Sequence, residues 1–271
     1  MRKFSNKVVI ITGASSGIGY ALAEICFKQD MRVVLSARTK EPMLALAEKH
    51  NYPKDRTLIV SADVAKPEEC KSLIEQTVNK FGNIDILINN AGISMRALFA
   101  DLEIDVMKRL MDVNFWGSVY CTKYALPYLV ESNGSVVGIS SIAGYKGLPA
   151  RTGYSASKFA LNGFLETLAI ENLKTGLHVL IACPGFTASA IREKALDHIG
   201  KPQGESPRDE DEMMTAPAVA NHIMKAIYKR KRSLTLTSQG KMLVWLNKFF
   251  PRWVDKMVYN HMAKESDSPI K

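Results

Sequence analysis

The chain is poor in several things. Its 271 residues include four cysteines, Cys26, Cys70, Cys121 and Cys183, widely spread and without metal-ligand spacing. That usage argues against a disulfide framework and a thiolate metal site, and it fits free thiols in a reducing cytoplasm. No stretch reaches the ~18 apolar residues that a spanning helix requires. The short polar start leads straight into Val8-Val9-Ile10-Ile11, which predicts no secretory signal. Repeats and low-complexity tracts are absent. Acidic residues are scarce in one place: between Lys225 and Lys264 there are ten lysines and arginines against one acid, Asp255. The whole formal excess of +9 lies there, and the remainder is neutral. No recognised nucleic-acid motif accompanies this basicity, so nucleic acid is not the expected partner.

What is present is a regular alternation of strand-like and helix-like runs. Strands are expected near Val8–Thr12, Arg32–Ala37, Thr57–Ser61, Ile84–Asn89, Ser135–Ser140, His178–Cys183 and Leu234–Leu236. Most are continuous Val/Ile/Leu runs, as in strands buried on both faces. Helix patterns lie between them, among them Ile18–Gln29, Pro67–Phe81 and Gly153–Lys174. The alternation predicts an α/β fold of Rossmann type: a doubly wound parallel sheet of about seven strands with helices on both faces. One domain over residues 1–237 is expected, followed by a helical C-terminal extension over 238–271. The polar stretch 187–215 follows a strand end directly and reads as a substrate lid.

Two local patterns carry chemistry. Tyr154 and Lys158 stand at i and i+4 and share one helix face. Ser141 precedes the tyrosine by thirteen residues, at the end of the apolar run Ser135-Val136-Val137-Gly138-Ile139. A phenol, an ammonium and a hydroxyl are thus brought toward one substrate oxygen. The second pattern, Thr12-Gly13-Ala14-Ser15-Ser16-Gly17-Ile18-Gly19, closes the first strand and opens the first helix. Its glycines allow close approach of a pyrophosphate, and the helix N-terminus offers N–H groups and the positive dipole end. At the end of the second strand no acid is present to bind ribose hydroxyls. Arg38 stands there instead and suits a 2′-phosphate, which favours NADP(H). Ser36 and Thr39 offer further hydroxyl contacts. Asp63-Val64 and Asn89-Asn90-Ala91-Gly92 follow the third and fourth strands, where loop capping is the plainer alternative.

Together these residues resemble the short-chain dehydrogenase/reductase family. The Thr-Gly-x-x-x-Gly-x-Gly turn, Asn-Asn-Ala-Gly, Asn114, Ser141, Tyr154-x-x-x-Lys158 and Pro184-Gly185 occur in the family's order over roughly residues 5 to 236. The spacing to the tyrosine selects Ser141 over Ser140. The resemblance implies an NAD(P)(H)-dependent oxidoreductase with catalytic residues Asn114, Ser141, Tyr154 and Lys158. Tyr154 would be the general acid in reduction and the base in oxidation. Lys158 would lower its pKa and hold the nicotinamide ribose. Ser141 would orient the carbonyl, and Asn114 would fix a relaying water. Gly13, Ser15, Ser16, Gly17, Ile18, Gly19, Arg38, Asp63, Val64, Asn90, Ala91, Gly92, Pro184, Gly185 and Thr187 would line the cofactor site.

The substrate is less legible. Ser94, Tyr145, Leu148 and Phe186 are the candidate substrate residues. With no charged clamp in view, they suit a bulky apolar ketone or alcohol of lipid, steroid or long-chain 3-keto type. The expected activity is NADPH-dependent carbonyl reduction. Oxidation of a steroid or sugar alcohol is the alternative, and a cofactor-binding sensor without turnover is a further one. The basic tail has Trp253, Val254, Met257, Val258 and His261 on one helical face. Such a face suits contact with an anionic inner membrane surface, or packing on the domain or on a partner subunit. The resemblance implies a homodimer or homotetramer that pairs through the helices before and after the serine strand.

Overall fold

The structure is a computed structural model, and it describes residues 4–185, 187–188, 191–204, 213–264 and 268–270. Seven strands form one parallel sheet: β1 (Val8–Thr12), β2 (Arg32–Ala37), β3 (Thr57–Ser61), β4 (Ile86–Asn89), β5 (Ser135–Ile139), β6 (His178–Cys183) and, at the edge, β9 (Ser233–Thr235). Their order is β3-β2-β1-β4-β5-β6-β9, every neighbouring pair parallel. A short second sheet pairs β7 (Thr187–Ala188) with β8 (Met214–Thr215). The helices are α1 (Gly17–Lys28), α2 (Glu41–Lys49), α3 (Pro67–Phe81), α4 (Ile104–Met111), α5 (Gly117–Glu131), α6 (Thr152–Glu171), α7 (Ala216–Tyr228), α8 (Ser238–Phe249) and α9 (Pro251–Met262).

Period-two alternation in buried strands explains why helices cover both faces. In β1, Val9 and Ile11 pack with Leu22 of α1 and Val219 and Ile223 of α7. Val8 and Ile10 pack on the other face with Leu73 of α3, Leu129 of α5 and Leu165 of α6. Asp85, buried just before β4, fastens the start of β1: its carboxylate accepts from the Val8 N–H and from Lys7 Nζ, both at 2.8 Å. The chain leaves β3 on one side of β1 and returns as β4 on the other. That reversal opens a crevice at the carboxyl ends of β1 and β4, where such sheets bind ligands.

The expected elements recur with their ends shifted by at most three residues. One feature had no signal in the sequence. Between α4 and α5 the backbone makes a π-helical turn over Asp112–Trp116, closed by the Gly117 N–H to the Asp112 carbonyl. Such turns occur as single insertions, often at functional sites, and this one carries Asn114. The C-terminal segment forms α8 and α9. Val254, Val258 and Met262 of α9 turn inward with Leu243, Leu246 and Met257 against Leu148 of the domain. Trp253 and His261, expected on the same face as Val254 and Val258, are exposed. Among the described residues no helix is long and apolar enough to cross a membrane.

Candidate active site

The glycine turn is shaped by crowding. Gly13 has φ +65°, strained for any side chain, and a Cβ there would lie 2.8 Å from the Ala91 Cα. A Cβ on Gly19 would lie 2.4 Å from the Gly13 carbonyl oxygen and 2.5 Å from Asn90 Nδ2. Asn90 ties the turn down. Its Nδ2 donates to the carbonyls of Thr12 (2.9 Å) and Gly13 (3.1 Å), while the N–H groups of Asn90 and Ala91 donate to Thr12 Oγ1. Ser16 begins α1 without a side-chain capping bond. A bare helix start beside a cradle too narrow for a Cβ fits the pyrophosphate of a dinucleotide.

Tyr154 lies in the first turn of α6, where the helix dipole is positive. Lys158 follows one turn later, with Nζ 5.8 Å from the Tyr154 ring centre. Lys158 is buried and donates to the Ile139 carbonyl at 2.8 Å, which locks it against the end of β5. Burial depresses its pKa to about 8. Burial pushes the Tyr154 phenol up, and a hydrogen bond with Ser141 and the charges of Arg151 and Arg192 offset this only in part. The net direction is opposite to the sequence expectation. Desolvation of the phenolate is the largest influence, and the cations that count most are two arginines rather than Lys158. Ser141 accepts the Ala143 N–H at 3.2 Å and so begins a short 3-10 turn. Burial raises the neighbouring Cys183 thiol to about 11, an effect that Ser140 offsets only in part.

Asn114 is fully buried and its side chain is committed. Oδ1 accepts the Ile93 N–H at 2.8 Å; Nδ2 donates to the Ile93 carbonyl at 3.0 Å and to Ser157 Oγ at 2.9 Å. Ser157 in turn donates to the Tyr154 carbonyl at 2.8 Å. The π turn thus clamps the loop after β4 to the helix that carries the tyrosine. A Cβ on Gly92 would stand 3.1 Å from Asn114 Oδ1 and 3.6 Å from Lys158 Nζ, so glycine keeps the space between them open.

These groups share one cavity of about 620 Å³. Gly13, Ser15, Ser16, Gly17, Ile18, Arg38, Asp63, Val64, Asn90, Ala91, Gly92, Pro184, Gly185 and Thr187 line it, as do Ser94, Ser141, Leu148, Tyr154 and Lys158. Gly19 and Asn114 stand behind the wall. Asp63 also caps its own loop through the Ala65 N–H. Three expectations differ. Tyr145 does not reach the cavity: its hydroxyl acts on Cys183, and it borders a separate space of about 290 Å³ with Glu166, Arg232 and Lys248. Ser36 is fully buried beneath the wall, whereas Thr39 lines the cavity. The absence of a charged clamp does not hold either, because Arg109, Arg151, Arg192 and Lys194 all line the cavity. They come from α4, the approach to α6 and the segment expected as a lid, so no local pattern announces them. Phe186 lies outside the described residues, as do residues 189–190 and 205–212 of the expected lid. The described part of that segment is pinned over the loop after β4: the Leu196 N–H donates to the Ser94 carbonyl at 2.9 Å, and the Leu196 carbonyl accepts the Arg96 N–H at 2.8 Å.

The lysine's depressed pKa has a measurable consequence. Unfolded, Lys158 titrates near 10.5; folded, near 8. Between those values the unfolded chain binds a proton that the folded chain does not, so stability rises with pH across the window. At neutral pH the buried charge costs up to about 3 kcal/mol. Lys158→Met is expected to be more stable than wild type at pH 7 in denaturant unfolding, and the gap should close as pH rises from about 8 toward 10.5. A gap independent of pH would contradict the burial argument.

Residues 7–200 match the short chain dehydrogenase family. A protein of Sesamum indicum named 11-beta-hydroxysteroid dehydrogenase A is 33% identical over 265 residues, covering 94% of this chain and 76% of that protein. Its namesake from Arachis hypogaea is 38% identical over 271 residues, with the same coverage of each chain. Among solved structures, a short-chain dehydrogenase from Streptomyces avermitilis superposes with a TM-score of 0.80 at 26% identity, over 96% of this chain and 98% of that one.

Proposed function

The chain belongs to the short-chain dehydrogenase family, as an oxidoreductase of CH–OH and C=O groups, and on that premise we propose that it reduces the carbonyl of a hydrophobic lipid-, steroid- or long-chain 3-keto-type substrate with NADPH. The observation that carries this reading is the gathering of Ser141, Tyr154 and Lys158 in the same cavity as the glycine cradle and Arg38. When bound, the dinucleotide supplies the hydride. Tyr154 Oη donates the proton to the carbonyl oxygen, and its raised pKa keeps the phenol protonated and ready at neutral pH. Lys158, charged below about pH 8, stabilises the phenolate left behind and holds ribose hydroxyls. Ser141 orients the carbonyl and stabilises the developing oxyanion. Thr187 holds the carboxamide, and Arg38 pairs with the 2′-phosphate. The space kept open by Gly92 between Asn114 and Lys158 suits a water that relays the proton outward.

The names of the two plant relatives support a steroid-like substrate and leave oxidation of a hydroxyl as the reverse reading of the same site. Leu148, Leu196, Val113 and Ile191 give the cavity apolar surface, while Arg38, Arg109, Arg151, Lys158, Arg192 and Lys194 make the wall mixed. An amphipathic molecule fits this better than a hydrocarbon. Trp116, at the end of the π turn, and Phe159 of α6 are exposed, and Ile170 lies further along α6. An apolar patch there supports pairing as a homodimer or homotetramer. We place the protein in the cytoplasm, with α8 and α9 toward the inner membrane surface.

Two measurements test the reading. In Arg38→Asp the ratio of kcat/KM for NADPH to that for NADH should fall by about 10- to 100-fold, the worth of a charge-assisted hydrogen bond. An unchanged ratio would remove the phosphate role. Along a series of ketones of increasing chain length, kcat/KM should rise by up to about fourfold per methylene until the cavity is filled. A flat series would contradict a hydrophobic substrate.

A further inference from the structure

We infer that the outward face of α8 and α9 is a preformed docking surface for an anionic lipid bilayer, set against the wall of the catalytic cavity. The inference rests on the hydrophobic-substrate reading only for its purpose; the surface itself stands on the geometry.

The inner side of the helix pair is already used. Leu243, Leu246, Val254 and Val258 pack against Leu148, which also lines the cavity. Asn247 Nδ2 donates to the Tyr145 carbonyl at 3.3 Å, and Asp255 pairs with the buried Lys146 ammonium. The pair is therefore fixed to the domain.

The outer side is neither covered nor polar throughout. Met242, Trp245 and Phe249 follow one another at i, i+3 and i+7 of α8, and Phe250 and Trp253 continue at the corner into α9. Each is more than half exposed, and the Trp245 and Phe249 rings touch with centres 5.3 Å apart. Lys241, Lys248, Arg252 and Lys256 alternate with them, all exposed. The one acid of the segment, Asp255, is ion-paired with Lys146. Aromatic bodies ringed by long cationic side chains are what an interfacial helix presents to headgroups and the acyl boundary beneath. Each helix has twelve residues, about 18 Å, so the pair lies in the interface rather than crossing it.

Charge decides the occupant. The helix pair carries Lys241, Lys248, Arg252 and Lys256 against Asp255 alone, a net +3, so an anionic surface attracts and orients the molecule with this face toward it. A second copy meeting the same face would bring like charges together. Docking would set the Leu148 wall of the cavity close to the lipid that contains the substrate.

The test is co-sedimentation of the full chain with vesicles of phosphatidylcholine alone and of phosphatidylcholine mixed with phosphatidylglycerol, without substrate. Wild type should bind the mixed vesicles, more weakly as salt rises, and bind the neutral ones poorly. Trp245→Ala with Trp253→Ala should lower the partition coefficient about tenfold or more. Lys248→Glu with Arg252→Glu should erase the preference for anionic lipid. Both variants should keep the wild-type melting temperature and the turnover of a water-soluble ketone. Three results would overturn the proposal: no binding of wild type to the mixed vesicles, equal binding by the tryptophan variant, or a concentration-dependent self-association of wild type that the same variants abolish. Vesicle binding is read without turnover, so failure of the carbonyl reading leaves this result intact.

Discussion

Tyr154→Phe is expected to bind the dinucleotide with wild-type affinity and to turn over about 10²- to 10⁴-fold more slowly, the usual worth of a positioned general acid. The substitution removes one oxygen and leaves the ring. Lys158 keeps its bond to the Ile139 carbonyl, and Asn114 keeps Ile93 and Ser157, because none of these contacts uses the phenol oxygen. The cradle formed by Gly13, Gly19 and Asn90 is also independent of it. Loss in kcat with unchanged cofactor affinity is therefore the signature of a proton donor. A parallel loss of affinity would instead make Tyr154 a wall residue. Cofactor fluorescence titration and steady-state turnover on the same preparations separate the two.

The second large effect is expected at Gly19. A methyl there would overlap the Gly13 carbonyl and Asn90 Nδ2, at 2.4 and 2.5 Å. Neither neighbour can give easily: one is backbone, and the other is the amide that fastens Thr12 and Gly13. Gly19→Ala should therefore displace the turn, destabilise the fold by about 1–3 kcal/mol as overpacking does, and reduce dinucleotide affinity at least tenfold. Gly163→Ala is the control. It lies within α6 with nothing within 4 Å of its Cβ position, and alanine there should stabilise the helix by up to about 1 kcal/mol without touching affinity. Thermal unfolding and cofactor titration of both variants check the pair. Equal behaviour of the two would mean that crowding at the turn does not matter.

The parts of the fold visible in the sequence are those with local causes. Continuous apolar runs mark β1, β2 and β6 because both their faces are buried, and the glycine turn is legible because backbone crowding leaves few alternatives. Tyr154 and Lys158 show as a pair because helix geometry alone brings them together. What stayed hidden depends on tertiary placement. Arg109, Arg151 and the pair Arg192 and Lys194 come from three separate parts of the chain and converge only when α4, the start of α6 and residues 191–204 fold around the same crevice. Tyr145 follows Ser141 closely, yet the 3-10 turn between them sends it toward Cys183. The π turn that carries Asn114 inserts one residue into what reads as helix on either side, and no residue type announces it. In α9 the apolar periodicity was present, but only packing separates the inward Val254 and Val258 from the exposed Trp253.

The central claim is that the cavity performs hydride and proton transfer at a carbonyl. Its most direct test is wild-type turnover of NADPH against a panel of apolar ketones, with NADP and the matching alcohols run in reverse, alongside a dinucleotide binding titration. The account predicts tight binding together with oxidation of NADPH in step with the appearance of alcohol. Tight binding with no turnover in either direction across the panel would contradict it and mark the chain as a cofactor-binding sensor.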